Sequence, residues 1–413
     1  VEVSIAPVPS SLEFIKKKLE GKELSEEQIQ KIIDQILDNS LSEAEIAMFI
    51  SSLYANKVSF SEILGLIKAI SSFLNKLKLN KKNTVDKHCI GGIAGNRTTP
   101  IVVSICASAG LILPKSSSRA ITSSAGTADV LETITKVDLS LKKVREVIKK
   151  TNACMVWGGS IGLVPADAKI IQIEKKLKID VEALLLSSIM SKKLALGAKH
   201  ILIDIPHGNS AKVNKRKAVS LKKKFEKLGK EFKKDILVVL TSGKEPIGKG
   251  VGPVLEMIDV INVLDNEKQG PRDLENKSVF LAGKLLEMSG KTKKNKGREV
   301  AREILRSGKA YKKFIEIIGA QGGKIKKLQP AKNKKEIFST KKGRISEIDN
   351  QKISSLSRTL GCPLDKFSGL EIHVSTGDKV KNSQKILTLY SESETRLKQA
   401  LKQYKKEKPV GIR

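Results

Sequence analysis

An abrupt change of pattern near residue 84 limits what this chain can fold into more than any other feature. In the first 75 residues the apolar spacing is helical throughout, and a serine followed three residues later by Glu or Gln marks four helix starts: Ser10 with Glu13, Ser25 with Gln28, Ser42 with Glu45, and Ser59 with Glu62. Such pairs satisfy orphan backbone donors at a helix start reciprocally. Each precedes apolar residues on one helical face, such as Ile29, Ile32, Ile33 and Ile36. A compact helical lobe with short connectors is predicted there, with no chemistry of its own. From residue 84 the chain alternates. Thr84-Val85-Asp86 reads as a strand, followed by Lys87-His88-Cys89, the turn Gly91-Gly92-Ile93-Ala94-Gly95-Asn96 and a buried helix. Strands are predicted again at 201–205 and 236–240, with helices near 140–150, 217–230, 251–264 and 273–289. That alternation defines an α/β domain. A helix at 181–196 has no strand partner and is expected to return to the first lobe, making it discontinuous.

Residues 290–345 are lysine-rich and weakly patterned. Beyond them, Gly343-Arg344-Ile345, Gly369 to Val374 and Gly377-Asp378-Lys379-Val380 read as short strands separated by Gly-Asp turns. The expected class is therefore α/β, with a small discontinuous all-α lobe (1–77 and 165–196), a larger α/β lobe (83–155 and 198–330) and a C-terminal α+β domain (340–413).

At 413 residues the chain can bury a sizeable core and form two or three domains. Its 40% hydrophobic and 29% charged content argue against disorder. The net charge of +33 raises the question of nucleic-acid binding. The lysines are dispersed in pairs and short runs, however, and only 4% of residues are aromatic, so stacking platforms are scarce. A lysine-rich solvated surface that steers small anions is the plainer reading. Cys89, Cys106, Cys154 and Cys362 show neither metal-ligand nor disulfide spacing, in keeping with a reduced cytoplasm. The longest apolar stretch, 101–113, is too short to span a bilayer. No signal peptide is visible at the start, which is Val1 rather than Met and leaves an upstream segment open. Neither a metal nor a membrane is expected.

Four segments could carry chemistry. Lys87-His88-Cys89 leads into Gly91, Gly92 and Gly95 ahead of a helix, an arrangement that presents backbone amides, a helix dipole and a cation to an anion. It fits neither nucleotide-binding glycine pattern, and a tight turn beside a lysine accounts for it equally. The stretch Ser116 to Glu132 gathers Ser116, Ser117, Ser118, Arg119, Thr122, Ser123, Ser124, Gly126 and Thr127. It reads as hydroxyl donors with one cation for a phosphate-bearing ligand, or as a polar loop with helix caps. Third, Asp180 stands where a helix cap would, and Ser188 and Lys192 share a helical face, with Asp167 a further cleft candidate. Fourth, Lys212 in Gly208-Asn209-Ser210-Ala211-Lys212 follows a strand end, and either reaches a site or is a solvated loop lysine. His200, His207 and His373 fall outside these segments and read as structural.

Taken together, these residues resemble the thymidine/pyrimidine-nucleoside phosphorylase family, and most closely its archaeal AMP phosphorylase branch. Lys87-His88-Cys89-Ile90-Gly91-Gly92 resembles the family's phosphate loop, and Ser117 to Ile121 with Gly126 to Glu132 resembles its signature. Ser188-Ile189-Met190-Ser191-Lys192-Lys193-Leu194-Ala195 resembles its third motif. Gly95-Asn96, the wording of Arg119 to Ser123, and Trp157-Gly158-Gly159 ahead of Pro165-Ala166-Asp167 point to the AMP branch.

The resemblance implies the type II nucleoside phosphorylase architecture and reversible phosphorolysis of AMP, CMP or UMP to free base and ribose 1,5-bisphosphate. Inorganic phosphate would be the co-substrate, with no cofactor. It puts Gly92, Ser118, Arg119, Ala120, Ile121, Thr122, Ser123, Thr127, Ser188 and Lys212 at the nucleotide. It puts Lys87, His88, Cys89, Thr99 and Ser117 at phosphate, Lys192 elsewhere in the cleft, and Asp180 as proton donor to the leaving base. The chemistry is consistent with that, because a carboxylic acid kept protonated by burial stabilises a departing base. Closure of a cleft between the lobes, hinged near 76–83, 155–166 and 194–198, would exclude water. Cys89 stands where the family has serine, replacing a hydroxyl with a weaker thiol donor. The branch's additional N-terminal domain of roughly 80 residues is not within this sequence, so a cytoplasmic homodimer is expected rather than a higher assembly. Two other readings compete: a thymidine or uridine phosphorylase, and a basic nucleic-acid-binding protein on a decayed enzyme scaffold.

Overall fold

The computed structural model describes residues 9–72, 77, 79, 83–120, 123–159 and 164–413. The chain opens with helices α1 (Leu12–Leu19), α2 (Glu26–Leu37), α3 (Glu43–Ala55) and α4 (Phe60–Ser72). Strand β1 (Val85–Cys89), helix α5 (Thr98–Ser108), β2 (Leu113–Ser117), α6 (Thr127–Leu131), α7 (Leu141–Thr151) and β3 (Ala153–Trp157) follow. Two helices come next, α8 (Pro165–Leu177) and α9 (Glu182–Ala195), then β4 (His200–His207), α10 (Lys215–Glu231), β5 (Asp235–Ser242) and β6 (Gly250–Val251). Helices α11 (Pro253–Leu264), α12 (Arg272–Met288), α13 (Gly297–Arg306) and α14 (Lys309–Ala320) lead to β7 (Asn333–Phe338) and β8 (Gly343–Ile348). The chain ends with α15 (Asn350–Leu360), β9 (Gly369–Ile372), β10 (Lys379–Val380), β11 (Lys385–Ser391), α16 (Glu394–Glu407) and β12 (Val410–Ile412).

Two compact units form: Val1–Leu79 with Gly158–Gly197, and Asn80–Trp157 with Ala198–Arg413. The first is helical and discontinuous. Its α2 packs on α4, α4 on α9, and α3 on α1 and α8. Ser25 and Ser42 form the reciprocal capping boxes expected of them. Ser59 does so as well, exchanging bonds of 2.9 and 3.1 Å with Glu62. Ser10 does not. The cap of α1 is Ser11, and Gln35 ties down the chain ahead of it by accepting from the Ser11 N–H and donating to the Ser10 hydroxyl. Glu62 has a second task, holding the fully buried Lys18 ammonium at 2.7 Å.

In the second unit β1, β4 and β5 pair in parallel, as do β2 and β3. A parallel bridge from Thr84 to Ile112 joins the pairs, so five parallel strands run in the order β3-β2-β1-β4-β5 with β1 central. Buried Val85, Leu202, Ile101, Val279 and Leu281 share its core. The C-terminal part has its own core around Leu356, Leu370, Leu387 and Leu389. It carries an antiparallel sheet of order β6-β9-β11-β7, stitched to the α/β part because β6 pairs with β9. The expected α/β class, with its helical lobe and C-terminal α+β region, is what the chain forms. Strands β2 and β3 were not predicted, and the weakly patterned 290–345 contains α13, α14 and β7. No helix among the described residues is long and apolar enough to cross a membrane.

Candidate active site

In parallel α/β sheets ligands gather at the carboxyl ends of the strands, and β1 ends in Lys87-His88-Cys89. Residues 87 and 89 share one face of the strand and 88 lies on the other, because side chains alternate. Lys87 is 2% exposed and donates to the Thr98 hydroxyl at 2.7 Å in the first turn of α5. Burial lowers its pKa to about 8. Burial likewise raises the Cys89 thiol, keeping it protonated. The Cys89 sulfur accepts from the Gly91 N–H at 3.5 Å and Asn96 Nδ2 at 3.4 Å, so the thiol folds into the turn. His88 is half-buried, and alternation directs it away from the Lys87 face. Thr99 is buried, one position into α5 from Thr98.

Gly92 takes φ +86°, and a β-carbon there would lie 2.5 Å from Lys212 Cβ and 2.6 Å from its amide nitrogen. A left-handed turn packed against another backbone admits only glycine, and the close approach brings the loop of exposed Lys212 onto the β1 turn. Asn350, one of the residues sequence reasoning missed, secures both loops. Fully buried, it accepts from the Ala94 N–H at 3.1 Å and donates to the Ser210 hydroxyl and the Gly243 carbonyl at 3.2 Å each. Asn350→Ala should lower unfolding free energy by about 1–3 kcal/mol, because buried partners lose their bonds. Urea denaturation followed by circular dichroism checks this.

The serine-rich stretch is not all loop. Lys115, Ser116 and Ser117 lie on β2, and the buried hydroxyls of Ser116 and Ser117 have no hydrogen-bond partner among the described residues. Ser118 is exposed. Ile121 and Thr122 lie outside the described residues. Asp129 closes the segment: its Oδ2 accepts from the Ala120 N–H at 2.7 Å and the Gly126 N–H at 2.8 Å. The chain doubles back so closely that a β-carbon on Gly126 would strike the Ser118 carbonyl and Arg119. The Ser123 hydroxyl donates to the Ala125 carbonyl at 3.1 Å. Arg119 is already engaged. It makes two 2.8 Å bonds to Glu132 and one of 3.2 Å to Asp129, and lies 4.9 Å from the Trp157 ring centroid. Those bonds hold Glu132 down to about 2, with Lys366 helping. An anion approaching Arg119 therefore competes with Glu132.

Thr127, first residue of α6, accepts from Arg97 NH1 at 2.7 Å. Arg97 also donates to Glu256 at 2.7 Å and to the Ala125 carbonyl at 3.0 Å. Sequence reasoning missed both Arg97 and Glu256, which lie 159 positions apart with no local pattern to link them.

In the helical unit, α9 places Ser188 and Lys192 on one face, and Lys192 donates to the Ser188 hydroxyl at 2.6 Å. Lys192 also pairs at 2.7 Å with Asp167, buried in the first turn of α8. Asp180 does not cap α9. The cap position is Val181, and Asp180 sits exposed in the short connector after Lys178. The burial expected around that carboxyl is therefore not found. Among the described residues no group of three His, Cys, Asp or Glu side chains could hold a metal. An open cavity of about 490 Å³ between 132–138 and 322–326 is lined by none of the expected site residues.

A buried lysine and hydroxyls at the carboxyl end of a parallel sheet, in a chain that also builds a helical bundle, suit a small anionic ligand. Residues 12–73 match the glycosyl transferase family helical bundle domain, 81–311 its a/b domain, and 344–410 the pyrimidine nucleoside phosphorylase C-terminal domain. The chain belongs to this glycosyl transferase family, in its nucleoside phosphorylase form. It is 42% identical to the AMP phosphorylase of Pyrococcus furiosus, over 100% of this chain and 83% of that protein. It is 46% identical to that of Pyrococcus horikoshii, over 99% and 83% respectively. A Legionella pneumophila (strain Corby) protein provisionally named thymidine phosphorylase is 42% identical over 97% of this chain and 77% of its own length. The anthranilate phosphoribosyltransferase structure from Thermus thermophilus shares the fold, with TM-score 0.62 and 20% identity over 75% of this chain and 99% of that one.

Proposed function

We propose that the protein catalyses reversible phosphorolysis of a nucleoside 5′-monophosphate, AMP foremost with CMP and UMP as further substrates, to free base and ribose 1,5-bisphosphate. The observation that carries the reading is similarity over nearly the whole chain to proteins named AMP phosphorylase. In this reading the C1′–N bond breaks as a phosphate oxygen bonds to C1′, and the base leaves with a proton. Lys87, Ser117, Thr99 and the Cys89 thiol receive phosphate, with His88 contributing through the strand. Gly92, Ser118 to Ser123, Thr127, Ser188 and Lys212 receive the nucleotide, Lys192 is a further site residue, and Asp180 supplies the proton. Fixed donors around a developing oxocarbenium centre stabilise it without reorganisation. The reading includes no cofactor, a cytoplasmic location and a homodimer.

The Legionella relative supports a second reading, phosphorolysis of thymidine. Supplying AMP, adenosine and thymidine separately with phosphate, and detecting the free base together with its sugar product (ribose 1,5-bisphosphate, ribose 1-phosphate or 2-deoxyribose 1-phosphate respectively), separates the two. AMP-dependent product is expected, and turnover of thymidine with none of AMP would sink the first reading.

A further inference from the structure

The Arg97 guanidinium is 8% exposed and spends all three nitrogens inside the protein, on Glu256, Thr127 and the Ala125 carbonyl. It therefore has little left to offer a ligand directly. Its effect falls on Thr127. A threonine hydroxyl has one proton to donate and lone pairs to accept with, and Arg97 occupies the acceptor side at 2.7 Å. Among the described residues that hydroxyl donates to no protein group, and Thr127 is only partly buried. Its proton is left for an oxygen arriving from outside. The arrangement recurs where Lys87 donates to Thr98 and Lys192 to Ser188. Arg97 also precedes α5, directly after the β1 turn, and through Thr127 and Ala125 it fixes that turn to the start of α6. Glu256 is wholly buried and accepts from the Gly252 N–H at 3.1 Å, anchoring the guanidinium to α11.

We propose that Arg97 is a positioning residue for phosphoryl binding. It commits the Thr127 hydroxyl to donate to a phosphoryl oxygen and locks the Thr127 loop to the turn that follows Lys87 and strand β1. This rests on the phosphorolysis reading for its ligand, and the shared chemistry is a phosphoryl oxygen, of either inorganic phosphate or the nucleotide.

Arg97→Ala would strand Glu256 as a buried, unpaired carboxyl and risk unfolding. The test therefore uses R97Q/E256Q, which removes both charges while keeping amide donors, and R97K as a second variant that cannot span Thr127 and Ala125 together. Each is compared with T127V and with the combination carrying T127V. Expected for T127V is a rise of about 10- to 100-fold in KM for the phosphoryl ligand, the loss of one charge-assisted hydrogen bond. R97Q/E256Q should show a comparable rise, with kcat at saturation within about threefold, and R97K a smaller one, because an ammonium can still donate to a hydroxyl as Lys87 does to Thr98. Adding T127V to either should produce no rise beyond that of T127V alone, because the two act through one bond. A rise in KM confined to phosphate assigns the co-substrate, and one confined to AMP assigns the nucleotide. Effects that multiply, or folded Arg97 variants with unchanged KM for both ligands, overturn the proposal. The thermal shift induced by inorganic phosphate gives the same comparison without turnover. If wild type shows that shift but no AMP phosphorolysis, the activity reading fails while the Arg97 proposal is still decided.

Discussion

Asp180→Asn should lower kcat for AMP phosphorolysis by about 10²- to 10⁴-fold, the usual worth of a positioned general acid, while AMP binding changes by less than about threefold. The base leaves as an anion unless protonated, and an amide of the same shape cannot supply that proton. Asp180 is exposed, outside the helices, between Lys178 at the end of α8 and Val181 at the cap of α9. The substitution should therefore change stability by no more than about 0.5 kcal/mol, and lost turnover cannot be put down to unfolding. Catalytic contacts of such a carboxyl often form only once substrate is bound. Initial rates with saturating phosphate and calorimetric titration with AMP check both halves. Near-normal turnover would remove Asp180 from the mechanism and move attention to Asp167, whose carboxylate is at present held by Lys192 at 2.7 Å.

The legible parts of this chain are those whose signal is local. The Ser25 and Ser42 boxes, the central strand ahead of Gly91-Gly92, and the shared face of Ser188 and Lys192 each need only a few neighbouring residues to declare themselves. Strand β2 escaped because Leu113–Ser117 straddles the end of an apolar run and the start of a serine-rich one. Its state is decided by pairing with β3 and by the bridge to Thr84. The same holds for the site. Lys87, Gly92 and Lys212 stand out in sequence, whereas Asn350 reaches Ala94 across 256 positions and Arg97 reaches Glu256 across 159. Arg119 looks like a cation waiting for an anion until folding brings Glu132 and Asp129 to it. Sequence reveals which groups could bind a phosphoryl ligand, and the long-range partners decide which of them remain available to do so.

Lys87→Met should lower kcat/KM for phosphate by about 30- to 5,000-fold, the range measured when one partner of a desolvated charge pair is removed. The wild-type pH profile supplies an independent check. Burial lowers Lys87 to about 8, so in the free enzyme its charge is lost as pH rises through that value. kcat/KM for phosphate reports the free enzyme and should fall above pH 8, approaching tenfold per unit, while phosphate itself remains dianionic. Stability should move the other way. Between about 8 and the ordinary lysine value of 10.5 the unfolded chain holds a proton on Lys87 that the folded chain has released. With the unfolded state binding more protons, stability rises with pH across that window. The difference in unfolding free energy between wild type and Lys87→Met should follow that sign when urea denaturation is compared at pH 8 and pH 10. Phosphate affinity and stability thus respond oppositely to the same deprotonation, which a general alkaline loss of structure cannot imitate. A wild-type phosphate profile that stays flat to pH 10, or matches that of Lys87→Met, would remove Lys87 from phosphate binding and turn attention to Ser116 and Ser117, buried donors without a partner among the described residues.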